Sequence, residues 1–234
     1  MPGTPRERAR EQTISDIVRI GREQLASVGA AALSLRAVAR ELGVVSSAVY
    51  RYVKSRDELL TLLVVEAYNE LGGEAERAAA AAGASDYPGQ FRALGRAVRR
   101  WGLREPARYA LLFGSPVPGY QAPAERTTGP GTRIPIALVR ILDGAYRADA
   151  LAVPKAPEPA ADLGPLGRDL GELRRQLDLA VPDALLVRGV LAWASLFGAV
   201  SFEVFGQYGP QTFTAPELLF EHQLDLLAHG LGLG

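Results

Sequence analysis

The segment from Ser46 to Arg56 concentrates side chains that can form hydrogen bonds with nucleic acid. Hydroxyl and guanidinium groups bond both to phosphate oxygens and to the base edges that are exposed in the major groove of DNA. Tyr50 could instead be a core side chain. The residues that supply these groups on one short predicted helix are Ser46, Ser47, Tyr50, Arg51 and Tyr52.

Two neighbouring groups of residues extend this chemistry, and each has a plainer explanation. Arg56 and the backbone amides after Ser55 would form a helix N-terminus that favours a phosphate. Asp57 and Glu58 stand at the same place, which is also what ordinary helix capping looks like. The arginines that could form an arm reaching a DNA groove, or a disordered and merely soluble tail, are Arg6, Arg8 and Arg10.

Charge is distributed unevenly along the 234 residues. The whole chain is balanced, with 26 basic and 26 acidic residues, so it has no overall basic field for nucleic acid. The first 57 residues carry a net charge of +4 and the remainder carries −4. A basic N-terminal module joined to an acidic body is compatible with nucleic-acid binding, although chance and solvated helix faces could produce it as well.

Catalytic and metal chemistry find little support in the sequence. With no Cys and two His, the chain has no disulfide, no thiolate nucleophile and no ordinary zinc site. It also lacks a Walker phosphate loop, a Gly-x-Ser-x-Gly elbow and a Glu-x-x-His pair. We therefore expect a non-enzymatic protein without a cofactor. We also expect a cytoplasmic protein that does not contact a membrane, because residues 1–14 lack an apolar run and the stretch 189–202 is shorter than a bilayer span.

The elements that must position these groups are all predicted to be helices, since strand-like alternation is nearly absent. Proline clusters predict loops over 115–131 and around Pro154, Pro157, Pro159 and Pro165, and Gly72-Gly73 is a potential break in the long fourth helix. The predicted helices cover about 8–28, 35–42, 46–53, 55–82, 87–104, 106–113, 134–150, 168–179, 183–208 and 216–231.

Two short helices separated by a glycine turn occupy residues 35–52. Ser34 is a plausible N-cap for the first, and Gly43 can take the left-handed conformation that a sharp turn needs. This pattern predicts a helix-turn-helix, whose second helix fits the major groove. Its small core is expected to be formed by Val38, Leu42, Val44 and Val49.

At this point the sequence resembles the TetR family of bacterial transcriptional regulators. The residues that carry the resemblance are the strings SLRAVARELGV (34–44), AVYRY (48–52) and SRDELL (55–60). The resemblance implies an all-α subunit with a DNA-binding domain at 1–56 and a helical ligand-binding and dimerisation domain at 57–234. It also implies that Tyr50 and Arg56 contact phosphates. The full set of expected DNA-binding residues is Arg36, Ser46, Ser47, Ala48, Tyr50, Arg51, Tyr52, Lys54 and Arg56.

Three positions depart from the family pattern. Val45 stands where the family usually has the Ser or Thr that caps the recognition helix, and Ser46 could take over as the cap. Tyr52 replaces a common His and Val53 a common Phe. These changes leave the expected fold intact but bear on the details of DNA contact.

The body of the chain is similar to the WHG-type C-terminal domain found within the family. Trp193 and Gly198 match that pattern, and Phe197 stands in place of its His. Aromatic residues at helical spacing are usually core, but the resemblance implies a pocket for an apolar or aromatic small molecule, with Arg100, Arg104 and Glu203 as polar anchors. The residues expected to line this pocket are Trp101, Tyr109, Phe113, Trp193 and Phe197.

The last two predicted helices are the expected homodimer interface, again by resemblance. His222 and His229 lie seven residues apart on the last helix, where interface or solvent positions are more common than a metal pair. The expected interface stripe comprises Leu185, Leu186, Val190, Phe197, Val204, Leu218, Leu219, Leu226 and Leu227.

These observations predict a ligand-responsive transcriptional regulator. We expect a repressor that binds a palindromic double-stranded DNA operator as a homodimer and is released by a small apolar or aromatic effector. The alternative is a helical small-molecule binding or partner-interaction protein without sequence-specific DNA binding, which the departures at Val45 and Tyr52 keep open.

Overall fold

The computed structural model describes residues 4–152 and 163–234, and within them it is all-α, as predicted. The predicted loop residues Pro154, Pro157 and Pro159 lie outside these ranges. A single 3-10 turn, Ala30–Ala32, follows the first helix. The helices are α1 (Pro5–Val28), α2 (Leu35–Glu41), α3 (Ser46–Tyr50), α4 (Arg56–Ala81), α5 (Tyr87–Arg104), α6 (Pro106–Phe113), α7 (Ala124–Gly131), α8 (Arg133–Arg147), α9 (Pro165–Leu177), α10 (Asp183–Val204) and α11 (Pro216–Leu231).

The described residues divide into two compact units. The first unit takes its residues from Met1–Glu70 and Arg104–Gly131, so the chain leaves this unit within α4 and returns to it at the end of α5. The second unit comprises Leu71–Leu103 and Thr132–Gly234. The domain division expected from the sequence, 1–56 and 57–234, stays a prediction.

The core of the first unit is built by one apolar stripe of α1 and the inner faces of α2, α3 and α4. Ile17, Ile20 and Leu25 are spaced three to five residues apart on α1 and are almost completely buried. Residues distant in sequence pack against the same core from α6 and the loop after it. They are Ala107, Leu111, Val117 and Tyr120.

Helix α1 begins earlier than predicted, because Thr4 caps it. The Thr4 hydroxyl accepts a hydrogen bond from the Glu7 amide at 3.3 Å, and the Glu7 carboxylate accepts one from the Thr4 amide at 2.6 Å. This reciprocal capping box satisfies two amides that would otherwise lack partners, and Pro5 fits the first helical position. Residues 5–10 are therefore helical in the structure, which corrects the alternative of a disordered tail.

Two local predictions were wrong. The loop predicted over 115–131 contains α7, since Pro123 precedes the helix and Pro130 lies in its last turn, where neither ring disrupts the first turns. The break expected at Gly72-Gly73 does not occur, and α4 continues to Ala81. Gly72 instead allows a close approach, because a Cβ there would lie 3.0 Å from the Arg133 side chain.

The second unit packs α5, α8, α10 and α11 around a shared apolar core. Trp101, Phe91 and Leu142 are fully buried in it. Three arginines of α5 form ion pairs with acidic residues of α10 and α11. The pairs are Arg92–Asp225 at 2.8 Å, Arg96–Glu221 at 2.6 Å and Arg99–Glu203 at 2.6 Å.

A buried carboxylate fixes the connection between α9 and α10 in this unit. Asp143 of α8 accepts hydrogen bonds through Oδ1 from the Ala180 amide at 2.6 Å and the Val181 amide at 3.0 Å. Its Oδ2 accepts from Arg147 at 2.6 Å, and Arg147 in turn donates to the Asp178 carbonyl at 2.8 Å. One side chain therefore satisfies two loop amides, of which that of Val181 is buried.

Helix α10 is the one described helix that is long and apolar enough, by length and composition, to cross a membrane. Core helices of soluble proteins meet the same criteria, so this property is weak support for a span. One face of α10 is buried in the core and includes Leu185 and Leu196. The opposite face exposes Val187, Val190 and Leu191.

Candidate nucleic-acid interface

The turn between α2 and α3 has the geometry that a helix-turn-helix requires. Gly43 has φ +69°, which places it in the left-handed region. The Val44 amide donates to the Ala39 carbonyl at 3.0 Å and the Gly43 amide to the Arg40 carbonyl at 3.2 Å. These two bonds form a Schellman motif, which satisfies carbonyls at the end of α2 and reverses the chain into α3.

Ser34 begins the first helix of this motif as predicted, since its hydroxyl accepts a hydrogen bond from the Ala37 amide at 3.4 Å. The second helix starts differently. Its N-cap is Val45, without a side-chain hydrogen bond, and Ser46 is the first helical residue and not a substitute cap. Without a side-chain cap, the N-terminus of α3 lacks the stabilising hydrogen bond that Ser34 provides for α2.

Helix α3 buries one residue and exposes its polar groups. Val49 is 1% exposed and anchors the helix in the core, as predicted. Val44, expected in the same core, is 44% exposed because it follows the turn on its outer side, so that expectation was wrong. Tyr50 is 43% exposed, which excludes the alternative that it is a core residue. Ser47 and Arg51 are also exposed, and Ser46 and Ala48 are half-buried.

Basic side chains around α3 lack acidic partners. Within the described residues, the side-chain nitrogens of Arg36, Arg51 and Lys54 form no ion pair with a carboxylate within 4 Å, and all three side chains are exposed. The Glu58 carboxylate accepts a hydrogen bond from the backbone amide of Lys54 at 2.6 Å. Some other arginines of the same unit do have acidic partners, as Arg19 has in Glu23 at 2.8 Å. Because their charge is not neutralised within the unit, these three residues can attract the phosphates of DNA.

Arg56 is bonded inside the protein. Its Nη2 donates to the carbonyls of Ala30 and Ala31 at 2.9 and 3.2 Å, and its Nη1 lies 3.5 Å from Asp57. The side chain is half-buried and ties the start of α4 to the 3-10 turn after α1. Sequence reasoning assigned Arg56 to a phosphate contact and had no signal for this internal role, because its partners are backbone carbonyls.

Tyr52 is half-buried against the core of the first unit, and an arginine side chain lies over the face of its ring. The guanidinium carbon of Arg10, on α1, lies 5.7 Å from the centre of the Tyr52 ring. This distance is within the range of a cation–π interaction. The contact brings the N-terminal turns of α1 beside the end of the recognition helix.

The five residues expected to line a ligand pocket are found in both units. Tyr109 and Phe113 of α6 lie in the first, where their ring centres are 4.9 Å apart, and Tyr68 of α4 meets Phe113 edge-on at 6.0 Å. Trp101, Trp193 and Phe197 lie in the second, where Trp101 is fully buried and the rings of Trp193 and Phe197 are 6.2 Å apart. That these five residues bind a ligand stays a prediction.

Hydroxyl groups lie beside the aromatic cluster of the first unit. The Thr61 hydroxyl is 3.1 Å from the Tyr120 hydroxyl. Burial, together with the neighbouring Tyr120, raises the pKa of Tyr68 above its ordinary value. Of the polar anchors expected for a pocket, Glu203 is occupied by two hydrogen bonds from Arg99, at 2.7 and 2.6 Å.

A buried arginine joins α6 to α4 in the first unit. Arg108 is 3% exposed and lies 2.8 Å from Glu70, with Glu105 and Glu66 at 3.5 and 3.6 Å. Glu66 is also 3.6 Å from Arg22 of α1. A chain of charges therefore runs from α6 through α4 to α1.

The stripe expected to form the dimer interface is divided between core and surface. Leu185 and Leu186 are buried within the unit. Val190, Leu218 and Leu226 are 52%, 61% and 74% exposed. A cavity of about 380 Å³ opens between α10 and α11, and residues lining it include Ser195, Gly198, Ala199, Phe202, Tyr208 and Leu226.

The two histidines are exposed side chains of α11. The described residues contain no group of three or more His, Asp or Glu that could hold a metal ion.

Comparisons with known proteins agree with this geometry. The family model described as "Bacterial regulatory proteins, tetR family" matches residues 17–63, and the model described as "Tetracyclin repressor-like, C-terminal domain" matches residues 91–227. The HTH-type transcriptional regulators Rv1816 of Mycobacterium tuberculosis and Mb1846 of Mycobacterium bovis are each 46% identical over 224 residues, covering 95% of this chain and 93% of theirs. The finer assignment to the WHG type stays a prediction.

Solved structures show the same fold. The crystal structure of a protein described as regulatory, SCO4313, is 34% identical with a TM-score of 0.76, covering 97% of this chain and 100% of that one. The structure of RolR in complex with its ligand resorcinol has a TM-score of 0.54 at 14% identity, covering 97% and 95% of the two chains. With a helix-turn-helix of this geometry and relatives of this extent, the chain is a DNA-binding transcriptional regulator and belongs to the TetR family of bacterial regulatory proteins.

Proposed function

We propose that the protein is a cytoplasmic repressor that binds a palindromic operator as a homodimer and releases it when a small aromatic or apolar effector binds. We also propose that it is not an enzyme. The observation that carries the DNA-binding part is the exposure of Ser47, Tyr50 and Arg51 on a short helix that Val49 anchors in the core.

The proposed DNA contacts divide into two kinds. Ser47 and Arg51 read base edges, because they project from α3 without internal partners among the described residues. Tyr50, Lys54 and Arg36 contact phosphates around the groove and fix the position of the helix. Arg56 supports this arrangement by holding α4 against the turn after α1.

The proposed dimer joins α10 and α11 of one subunit to the same helices of a second. Exposed Val190, Leu218 and Leu226 support it, because large apolar side chains exposed on neighbouring helices are typical of a protein interface. The cavity beside Ser195 and Gly198 offers room for side chains of the second copy. A two-fold dimer would present two recognition helices about 34–36 Å apart, one turn of DNA.

The proposed effector site includes the aromatic cluster of the first unit. Tyr68, Tyr109 and Phe113 supply ring faces and edges, and the hydroxyls of Thr61 and Tyr120 supply hydrogen bonds. This chemistry favours a small aromatic molecule that carries a polar group. RolR, which shares the fold, is known in complex with resorcinol, a molecule of that class.

The proposed coupling runs through the charges that join α6, α4 and α1. An effector that displaces α6 would move Arg108 relative to Glu66 and Glu70 on α4, and Glu66 also faces Arg22 of α1. The effector changes DNA affinity only as far as it prefers one of the two arrangements.

The test is fluorescence anisotropy with duplexes from the flanks of the gene that encodes the protein, at several salt concentrations. Scrambled duplexes of equal length serve as the control. We expect a salt-sensitive preference for one palindromic duplex. The logarithm of the affinity should fall linearly with the logarithm of the salt concentration, and the slope should be steeper the more phosphates are contacted. The variant R51A should change the sequence preference, and Y50F should weaken binding to all duplexes alike. No binding to any duplex at low salt would contradict the proposal.

A further inference from the structure

The N-terminal turns of α1 extend the basic surface beyond the helix-turn-helix. Arg6 and Arg10 are four residues apart, so they lie on the same face of α1, one above the other. This face continues the stripe that reaches the core at Ile17. Arg10 lies over Tyr52, which directly follows the recognition-helix residues Tyr50 and Arg51.

From this arrangement we infer that Arg6 and Arg10 form a second phosphate-binding element, which contacts the backbone of the operator duplex beside the recognition helix. The inference rests on the proposed operator binding and adds to it a contact outside the helix-turn-helix. Its partner is double-stranded DNA, whose phosphates present one negative charge per about 1.7 Å of helix axis.

Rigid positioning supports this inference. The capping box of Thr4 and Glu7 holds the first turn of α1 in helical form, so Arg6 is carried on a fixed backbone. The hydrogen bonds from Thr4 lower the pKa of Glu7 and engage its carboxylate at the cap. A charge held on an ordered helix loses less conformational freedom on binding than one on a flexible tail.

The lack of acidic partners for these two arginines also supports the inference. Within the described residues, the guanidinium groups of Arg6 and Arg10 form no ion pair with a carboxylate within 4 Å. Two like charges four residues apart repel each other and destabilise a helix. An anion between or beside them would relieve this repulsion, and the neighbouring Tyr52 ring leaves the guanidinium of Arg10 exposed to meet it.

Arg8 of the same helix is a suitable control residue. Arg8 carries the same charge and is also exposed, but it lies about 200° around the helix from Arg6, because each residue turns the helix by about 100°. Arg8 therefore points away from the face that Arg10 and Tyr52 share. The variant R8Q removes one charge without removing the proposed contact.

The experiment measures how DNA affinity depends on salt for the full-length protein and its variants R6Q, R10Q, R6Q/R10Q and R8Q. Each phosphate contact contributes about 0.9 to the slope of log affinity against log salt. We expect the slope to become shallower by about 0.9 for R6Q and about 1.8 for R6Q/R10Q, with R8Q equal to the wild type. Because R6Q does not remove the Tyr52 contact, its effect is independent of any change in the recognition helix.

Circular dichroism and urea unfolding verify that R10Q retains the fold, since Arg10 also stacks on Tyr52. An R6Q/R10Q slope equal to that of the wild type, or an equal loss in R8Q, would overturn the inference. Phosphate contacts also govern binding to random DNA, so the slopes remain informative on any duplex. If the wild type showed no sequence preference, this would contradict the proposed operator binding but not the phosphate contacts of Arg6 and Arg10.

Discussion

Nη2 of Arg56 donates a hydrogen bond to the carbonyl of Ala30 across 2.9 Å, which links the first residue of α4 to the turn that follows α1. The two residues are 26 positions apart in the sequence. The same guanidinium reaches Ala31, so one side chain satisfies two carbonyls of the 3-10 turn. This geometry makes Arg56 a stabilising residue irrespective of DNA.

Replacing Arg56 should therefore lower stability in the absence of DNA. We expect R56Q to lower the free energy of unfolding by about 2 kcal/mol, since hydrogen bonds from a charged donor contribute about 1.5–3 kcal/mol. Urea unfolding followed by circular dichroism measures this. The matched control is K54Q, which removes an exposed charge nearby and should leave stability unchanged. Undiminished stability of R56Q together with weaker DNA binding would restore the phosphate role as its main one.

The turn glycine should be sensitive to substitution even though nothing crowds it. Gly43 has φ +69° and open space around the position of a Cβ, so G43A tests backbone conformation alone. We expect it to cost about 1 kcal/mol of unfolding free energy, the penalty for a left-handed alanine. Gly230, which is helical and equally uncrowded, is the control, and G230A should be neutral or stabilising. Equal effects of the two variants would show that conformation at Gly43 is not the cause.

Loss of the Asp143 carboxylate should loosen the connection between α9 and α10. We expect D143A to cost about 2 kcal/mol, because it leaves the amides of Ala180 and Val181 without their acceptor. Hydrogen exchange at these two amides should accelerate as well. The control is E172Q, which removes an exposed ion pair with Arg175 and should stay within about 0.5 kcal/mol of the wild type. Unchanged exchange at both amides would contradict this role for Asp143.

Acid should destabilise the second unit through two glutamates. Hydrogen bonds from Arg133 and Arg96 lower the pKa of Glu76 and of Glu221, respectively, below the ordinary value of 4.5. Their contribution is complete above pH 4.5 and is lost as the pH falls through the lowered values. We expect E76Q/E221Q to be less stable than the wild type at pH 7 and to lose less stability between about pH 5 and pH 3.

Unfolding curves at several pH values measure this dependence. Glu125 provides the control, because E125Q removes an exposed acid that has no arginine partner among the described residues. The difference between E76Q/E221Q and the wild type should shrink in high salt, since both ion pairs are partly exposed. Parallel pH profiles for all three proteins would refute the assignment.

Charge on the exposed face of α10 and α11 should prevent the proposed dimer. Leu218 and Leu226 are exposed in the subunit, so L218E/L226E should fold normally and sediment as a monomer. DNA affinity should fall with it, because the two recognition helices would no longer be joined. Val28 is an equally exposed apolar residue of α1, and V28E should remain dimeric. A dimeric L218E/L226E at micromolar concentration would place the interface elsewhere.

The sequence predicted most helices because their signals are local. Pro106 and Pro216 begin α6 and α11 where expected, and Gly43 ends the first helix of the helix-turn-helix. The α7 helix was missed because prolines and glycines were interpreted as loop residues, although Pro123 lies outside it. Composition alone does not reveal at which end of a helix a proline will lie.

The site was predicted in part for the same reason. The exposure of Tyr50 and Arg51 follows from their spacing relative to Val49, which periodicity reveals. The internal bonds of Arg56 and the position of Arg10 over Tyr52 depend on how distant segments pack. Such contacts leave no local pattern, so only the folded structure discloses them.

The first unit is discontinuous in sequence, since Leu111, Val117 and Tyr120 complete a core that begins with α1. An N-terminal fragment cut within α4 would lack these side chains and would expose apolar surface that they normally cover. Grafting the helix-turn-helix onto another family member would therefore require exchange of two separate segments. Recombination at a single point would produce a chimaera with mismatched halves of one core, and such exchanges should be rare during the divergence of close relatives.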